Sequence, residues 1–209
     1  QTIPYACGSR QRELLAFRQG ESDLVFRDKT FYLNVVVDVE EPPLLEAQDV
    51  LGIDLGIVNI LADSDGETYS GGAVNGLRKR HAKIRARLQS KGTHSARRLL
   101  QKRRRKEQRF ARDVNHCISR QVVLKAERTN RAVALEDLQG IRQRVRVRKS
   151  QRRQHHSWSF NQLRSFIQYK ARLQGVPVVL VDPRNTSRTC PACGLVDKAN
   201  RVSQAWFSC

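Results

Sequence analysis

The spacing of hydrophobic positions changes from one stretch of this chain to the next. Within residues 12–40, "ELLAF", "DLVFRDK" and "TFYLNVVVDVE" are short runs rich in β-branched and aromatic residues. Gly20 and the Asp28-Lys29 pair punctuate them, so the pattern predicts antiparallel strands. The Pro-containing "EPPLLEAQD" (41–49) reads as a connector and a domain boundary. In "VLGIDLGIVNILADSDGETYS" an apolar run over 50–53 ends at Asp54, and Gly56 permits a tight turn. A second strand follows over 58–62, and Asp65-Gly66 turns it into a third, a β-meander opening a new domain.

From Gly76 to about Asn130 the spacing becomes helical, with one break at Lys91-Gly92. Leu99, Leu100, Phe110, Val114, Cys117, Ile118, Val122 and Leu124 form a partial stripe on the second helical segment. "RAVALEDL" (131–138) is a short buried-type strand ending in acids. "QGIRQRVRVRKSQRRQHHS" is polar and basic, which predicts a mobile loop. "WSFNQLRSFIQYKARLQG" is an amphipathic helix with Phe160, Leu163, Phe166, Ile167 and Leu173 inward and Gly175 as its stop. "VPVVLVDP" (176–183) is a fully apolar strand ending at Asp182. Three strands, helices, a strand, a helix and a strand predict a mixed α/β layer fold.

Charge narrows the partner. The chain carries 39 Lys and Arg against 20 Asp and Glu, a formal +19, more than solubility requires. "RKRHAKIRAR" and "RRLLQKRRRKEQRFAR" set like charges at i,i+4 spacing, which repel unless an anion lies alongside. A polyanion partner follows, and nucleic-acid backbone contact is the reading; contacts to phosphate position a protein without reading sequence. No run of eighteen apolar residues is present, and the basic stretches lack a bulky apolar face, which weakens a membrane reading. Neither a basic nor an apolar leader opens the chain, and a cytoplasmic, nucleoid-associated location is expected.

Two acids stand where apolar strands stop: Asp54 after "VLGI" and Glu136 after "AVAL". Carboxylates at the ends of neighbouring strands would converge on one spot, as a two-metal phosphoryl-transfer site requires. Acids also follow strands simply as turn formers and caps, so spacing alone leaves both readings open. Alternation puts Asp137 on the face opposite Glu136, and Asp182, before Pro183, reads as a turn starter. Asp38, Asp49, Asp63 and Asp65 read as turn or surface acids. Trp158, Phe160, Phe166 and Tyr169 read as core, and His155-His156 as neither ligand nor base.

Cys190, Cys193 and Cys209 form C-x₂-C-x₁₅-C, within zinc-ribbon spacing, with a fourth ligand expected two residues beyond the third. A redox C-x-x-C would want a helix start after the motif, whereas "GLVDKANRVSQAWF" reads as a hairpin. Cys7 and Cys117 read as plain buried thiols.

Taken in order, "VLGIDLGIVNILADSDG", the basic helical pair, "AVALEDL", "VPVVLVDPRNTSRTCPACG" and the terminal "FSC" resemble the TnpB (OrfB-type) proteins of insertion sequences. These are relatives of the type V CRISPR effectors. The resemblance covers about residues 30–209 and implies an α/β, RuvC-like RNase H-type nuclease fold with an inserted zinc ribbon. It implies three parts: residues 1–46 as the last strands of an N-terminal β-barrel (wedge-like) domain, 47–185 as the RuvC-like domain with its basic helical segment 76–130, and 186–209 as a partial zinc ribbon.

It further implies RNA-guided DNA cleavage with Mg²⁺ or Mn²⁺ at Asp54 and Glu136 and Zn²⁺ at Cys190, Cys193 and Cys209. The partners implied are a guide RNA from the transposon end and target DNA, with no membrane and no small-molecule substrate. The family's third catalytic Asp lies in a segment after the second cysteine knuckle that this sequence does not contain, so the resemblance implies a C-terminally truncated chain and a poor nuclease. The competing expectation is a nuclease-inactive nucleic-acid-binding remnant or guide-directed repressor.

Overall fold

A computed structural model describes residues 3–27, 29–137, 160–186, 188–190, 192–202 and 206–209. Two units separate, Gln1–Pro42 and Pro43–Cys209.

In the first unit, "ELLAF" is helical rather than extended. A helix, α1 (Ser9–Leu14), runs into a 3₁₀ turn at Leu15–Phe17. Arg, Gln, Glu, Leu and Ala lose little side-chain freedom in a helix, and that preference outweighs the apolar content of a run this short. β1 (Arg18–Arg27) and β2 (Thr30–Val37) then pair antiparallel, with Arg27 opposite Thr30. Asp28 of the expected turn lies outside the described residues. Gly20 does not separate two strands. It sits inside β1 at φ +65°, where the register slips between Arg18 and Ser22, as glycine allows at a bulge. Across the hairpin the Phe26 and Phe31 rings lie 4.7 Å apart, a cross-strand aromatic pair.

The second unit is a five-stranded mixed sheet with helices. β3 (Asp49–Asp54), β4 (Asn59–Asp63) and β5 (Thr68–Ser70) form the expected meander. β6 (Arg131–Glu136) and β7 (Val178–Val181) extend it in parallel, giving the order β5-β4-β3-β6-β7. Leu51, Ile53, Ile60, Leu61, Val133 and Leu135 of the sheet are buried in one cluster. Each such side chain contributes about 1.5–3 kcal/mol on leaving water.

Three helices connect β5 to β6: α2 (Gly72–Lys91), α3 (His94–Arg103) and α4 (Lys106–Arg128). α2 stops at Gly92, which has the left-handed φ of +64° that favours glycine. Thr93 caps α3 by accepting the Ala96 N–H. The second helical segment is not continuous. It breaks again at Arg104 and Arg105, where neither glycine nor proline gives warning. The buried face of α4 is Ala111, Asn115, Ile118, Ser119, Val122, Val123 and Ala126. Ile118 and Val122 belong to the expected stripe, whereas Leu99, Phe110 and Cys117 are exposed. Cys7 is half-buried.

The last helix, α5 (Phe160–Leu173), buries Leu163, Ile167 and Ala171 beside α4 and ends before Gly175 at φ +68°. Phe166 is half-buried instead and stacks on His116 at 3.9 Å, while Tyr169 and Leu173 are exposed. β7 is apolar, yet Val179, Leu180 and Val181 are exposed. β7 is the last strand of the sheet and pairs with β6 on one side only. Residues 138–159, with the predicted loop, His155-His156 and Trp158, lie outside the described residues.

Candidate functional site

Asp54 and Glu136 are each the last residue of a strand. β3 and β6 run parallel in the register Gly52–Ala134 and Ile53–Leu135, so one further step sets Asp54 beside Glu136. Neighbouring strands lie about 4.8 Å apart, which puts both carboxylates at one carboxyl edge of the sheet. Asp54 is exposed and Glu136 half-buried. Burial pushes the Glu136 carboxyl up, and the negative charge of Asp54 pushes it further. A hydrogen bond from the Thr186 hydroxyl acts in the opposite direction, stabilising the ionised form. Hard carboxylate oxygens, one half-buried and repelled by the other, suit a divalent cation such as Mg²⁺ or Mn²⁺.

The turn after Asp54 is held from two sides. The Gly71 N–H donates to the Val58 carbonyl at 2.8 Å, and the Asn75 side-chain amide donates to the Ile57 carbonyl at 3.1 Å. The Gly56 N–H reaches the Ile60 carbonyl at 3.3 Å. A Cβ on Gly56 would stand 2.7 Å from the Asn59 carbonyl oxygen, so the second glycine of "GIDLG" is required by space.

The neighbouring acids are engaged elsewhere. Asp137 follows Glu136, but its carboxylate is paired with Arg164 of α5. Asp182 accepts the Arg184 N–H at 3.0 Å, closing an Asx-type turn. Thr186 was read only as part of the stretch leading to the cysteines. Its proximity to Glu136 depends on β7 pairing with β6, with Val181 opposite Glu136, which no local pattern reveals.

Asp63 is a turn acid, as read, but a buried one. It is 9% exposed, its Oδ1 accepts the N–H groups of Asp65 and Glu67, and Lys125 of α4 binds its Oδ2. Asp65 makes a two-pronged pair with Arg131 and a second with Lys125, and these hold its carboxyl far below the usual carboxylate range. The network ties the β4–β5 turn to α4 and to the start of β6, and Asp63 itself pairs with Ile53, one residue before Asp54.

The sulfurs of Cys190, Cys193 and Cys209 lie within 4.8 Å of one another, the only cluster of three or more His, Cys, Asp or Glu side chains among the described residues. Cys190 is buried, and the Gly194 N–H donates to its carbonyl at 2.9 Å with Gly194 at φ +74°. Backbone N–H groups of Cys193 and Ala192 lower the Cys190 thiol to about 7. The neighbouring Cys193 and Cys190 raise Cys209 to about 11. Buried Asn200 donates to the Arg188 and Leu195 carbonyls at 2.9 and 3.0 Å and braces the turn. Cys193 and Cys209 sulfurs are 3.6 Å apart, close to the edge of about 3.8 Å of a tetrahedron with Zn–S bonds near 2.3 Å. The donor set fits zinc.

Two family models match the chain. OrfB_IS605, described as "Probable transposase", matches residues 34–140, and the Cas12f1-like TNB domain matches residues 160–209. A TnpB-like protein of Methanocaldococcus jannaschii is 36% identical over 117 residues, covering 56% of this chain and 42% of that protein. The CRISPR-associated endodeoxyribonuclease Cas12f1 of Sulfoacidibacillus thermotolerans is 28% identical over 201 residues, covering 88% of this chain and 46% of that protein. The chain therefore spans under half the length of these relatives. Among solved structures, a Cas12f1–sgRNA–target DNA complex has a chain of the same fold, with a TM-score of 0.56, 19% identity, and coverage of 81% of this chain and 36% of that one. A CRISPR–Cas12f ternary complex gives a TM-score of 0.55 at 20% identity, covering 85% of this chain and 36% of that one. No helix among the described residues is long and apolar enough to cross a membrane.

Proposed function

The chain belongs to the OrfB_IS605 family, as a TnpB-type protein related to the type V CRISPR effectors, and on that premise we propose that it carries the nuclease site of a transposon-encoded, RNA-guided DNA endonuclease. The observation that carries the reading is the parallel register of β3 and β6, which sets Asp54 beside Glu136. In this reading residues 47–185 are a RuvC-like domain, residues 1–46 close an N-terminal barrel, and 186–209 belong to a zinc ribbon. The partners are a guide RNA from the element's end and target DNA, met in the cytoplasm at the nucleoid.

Asp54 and Glu136 are the residues that would hold Mg²⁺ or Mn²⁺. Divalent cations bound there supply charge that polarises the scissile phosphate and stabilises the leaving 3′ oxygen. Asp54 presents its carboxylate just before a turn pinned by Gly71 and Asn75. Burial and Asp54 raise the Glu136 carboxyl, and Thr186 partly opposes that rise. Arg164 holds Asp137 and keeps a third negative charge from competing at the same edge. Cys190, Cys193 and Cys209 would hold zinc with a fourth ligand outside the described residues, and the ion would organise the ribbon that begins just after Thr186.

The test is cleavage of a target plasmid by the full-length protein loaded with the element's RNA. Asp54→Ala and Glu136→Ala should each abolish Mg²⁺-dependent cleavage while leaving guided DNA binding intact. Retained cleavage by Asp54→Ala sinks the assignment. Binding without cleavage by the unmutated protein would favour a guide-directed DNA-binding protein instead.

A further inference from the structure

The register of β3 and β6 fixes where the Asp54 and Glu136 side chains start, but not where the Glu136 carboxylate ends. A glutamate side chain is longer than an aspartate and has more rotors to fix. The negative charge of Asp54 also repels it, so left to itself the Glu136 carboxylate would swing away from the place where the two must converge. One contact opposes that swing. The Thr186 hydroxyl bonds the Glu136 carboxylate. Its oxygen also stands 3.2 Å from the Pro183 carbonyl. A hydroxyl has a single proton to donate, and an ionised carboxylate takes it in preference to a carbonyl, because the charge-assisted bond is shorter and stronger.

Thr186 is exposed and lies in a turn, so the hydroxyl must itself be held. The turn starts from a fixed place. Val181 lies opposite Glu136, and the Asp137 N–H donates to the Val181 carbonyl at 2.8 Å. The turn closes on the Asn185 carbonyl, which accepts the N–H groups of Arg188 and Thr189 at 2.8 and 2.9 Å and the Thr189 hydroxyl at 2.9 Å. Asn185 has a left-handed φ of +60°, which asparagine tolerates better than most residues. Thr189 pairs with Val196 across the cysteine knuckle. The residue before Thr186 is thereby knotted to the residue before Cys190, and the hydroxyl is carried on backbone anchored at both ends.

We propose that Thr186 is a positioning residue for Glu136: its hydroxyl holds the carboxylate towards Asp54, so that the pair is set for a divalent cation before one arrives. The proposal rests on the cation site read above and adds the residue that orients one of its ligands. Partners that stand behind a metal ligand in this way are worth about 10–100-fold in metal affinity.

The experiment measures Mn²⁺ binding to the purified full-length protein, without nucleic acid, from the loss of the free ion's electron paramagnetic resonance signal. The parent is compared with Thr186→Val, Thr186→Ser and Asp54→Ala, the last reporting the Mn²⁺ held by other acids. Valine keeps the branching of threonine and removes the hydroxyl, whereas serine keeps the hydroxyl. Thr186→Val should weaken the Asp54-dependent binding by about 10–100-fold, and Thr186→Ser should bind close to the parent. Because the side chain is exposed, melting temperature and zinc content should be alike in the parent and both Thr186 variants. Parent-like binding by Thr186→Val, or binding by Thr186→Ser as weak as by Thr186→Val, overturns the positioning role and leaves the cation site standing. Equal binding by the parent and Asp54→Ala overturns both. Loss of Mn²⁺ binding by Thr186→Val together with a lowered melting temperature assigns the hydroxyl to the fold and refutes the proposal.

Discussion

Replacing Gly56 by alanine tests how the turn beside Asp54 is built. The added Cβ would meet the Asn59 carbonyl oxygen at 2.7 Å, and ordinary close carbon–oxygen contacts begin at about 3.3 Å. The obstacle is backbone at the first residue of β4, so no side-chain rotation relieves it. Forcing such overlap into packed structure costs about 1–3 kcal/mol. At about 2–4 °C per kcal/mol for a unit of this size, the melting temperature should fall by about 2–12 °C. Gly76 provides the opposite case. It lies inside α2, a Cβ there meets nothing within 4 Å, and Gly76→Ala should stabilise by about 0.5–1 kcal/mol. Thermal unfolding of the two variants, followed by circular dichroism, should therefore give shifts of opposite sign. Equal stability of Gly56→Ala and the parent, or a loss in Gly76→Ala matching that in Gly56→Ala, would refute the reasoning.

The remaining predictions concern the core, the charge network and the cysteines. Leu135→Ala, at a position with no solvent exposure, should cost about 2–5 kcal/mol, read as a lower urea midpoint at unchanged slope. Val179→Ala, half-exposed on the edge strand, should cost much less, and equal losses would contradict the sheet order. Asp65→Asn should lower the melting temperature at pH 7. Arg131 and Lys125 depress the folded carboxyl, so its stabilisation is complete above the unfolded value of 3.8 and fades as pH falls below it. The gap between variant and parent should accordingly close in acid, and a gap constant down to the lowest pH would exclude this network as its source. Protein carrying the complete ribbon should bind about one zinc per chain, measured by plasma mass spectrometry, and Cys190→Ala should lose it; metal-free parent protein would remove the zinc assignment.

Much of the candidate site was legible locally. An apolar run that stops at an acid marks a strand end, and "VLGID" and "AVALE" are such runs. Two cysteines in a tight turn, with Gly194 able to take a positive φ, likewise announce a knuckle. The charge excess pointed towards a polyanion partner before any fold was drawn. These features survive because each depends on residues within a few positions of one another.

What local pattern missed depended on neighbours far along the chain. "ELLAF" has the apolar content of a strand, but the helix formers preceding it carried it into α1 and its 3₁₀ turn. The break at Arg104 and Arg105 has no breaker residue, and "VPVVLVDP" is apolar because it pairs with β6 on one side, not because it is covered on both faces. Asp63 caps the β4–β5 turn as its local pattern suggests, but its ion pair with Lys125, 62 residues away, is written in no local stretch.

The sequence by itself determined most element types of the second unit, the acids at strand ends, the three thiols and the basic helices, since period, turn chemistry and net charge are written in adjacent residues. Only the tertiary structure decided which strand lies beside which. That choice joined Asp54 to Glu136 across the insertion of α2, α3 and α4, and brought Thr186 to their edge. Register between distant strands is set by burying Leu51, Ile53, Val133 and Leu135 together, a property of the whole core that no single stretch contains.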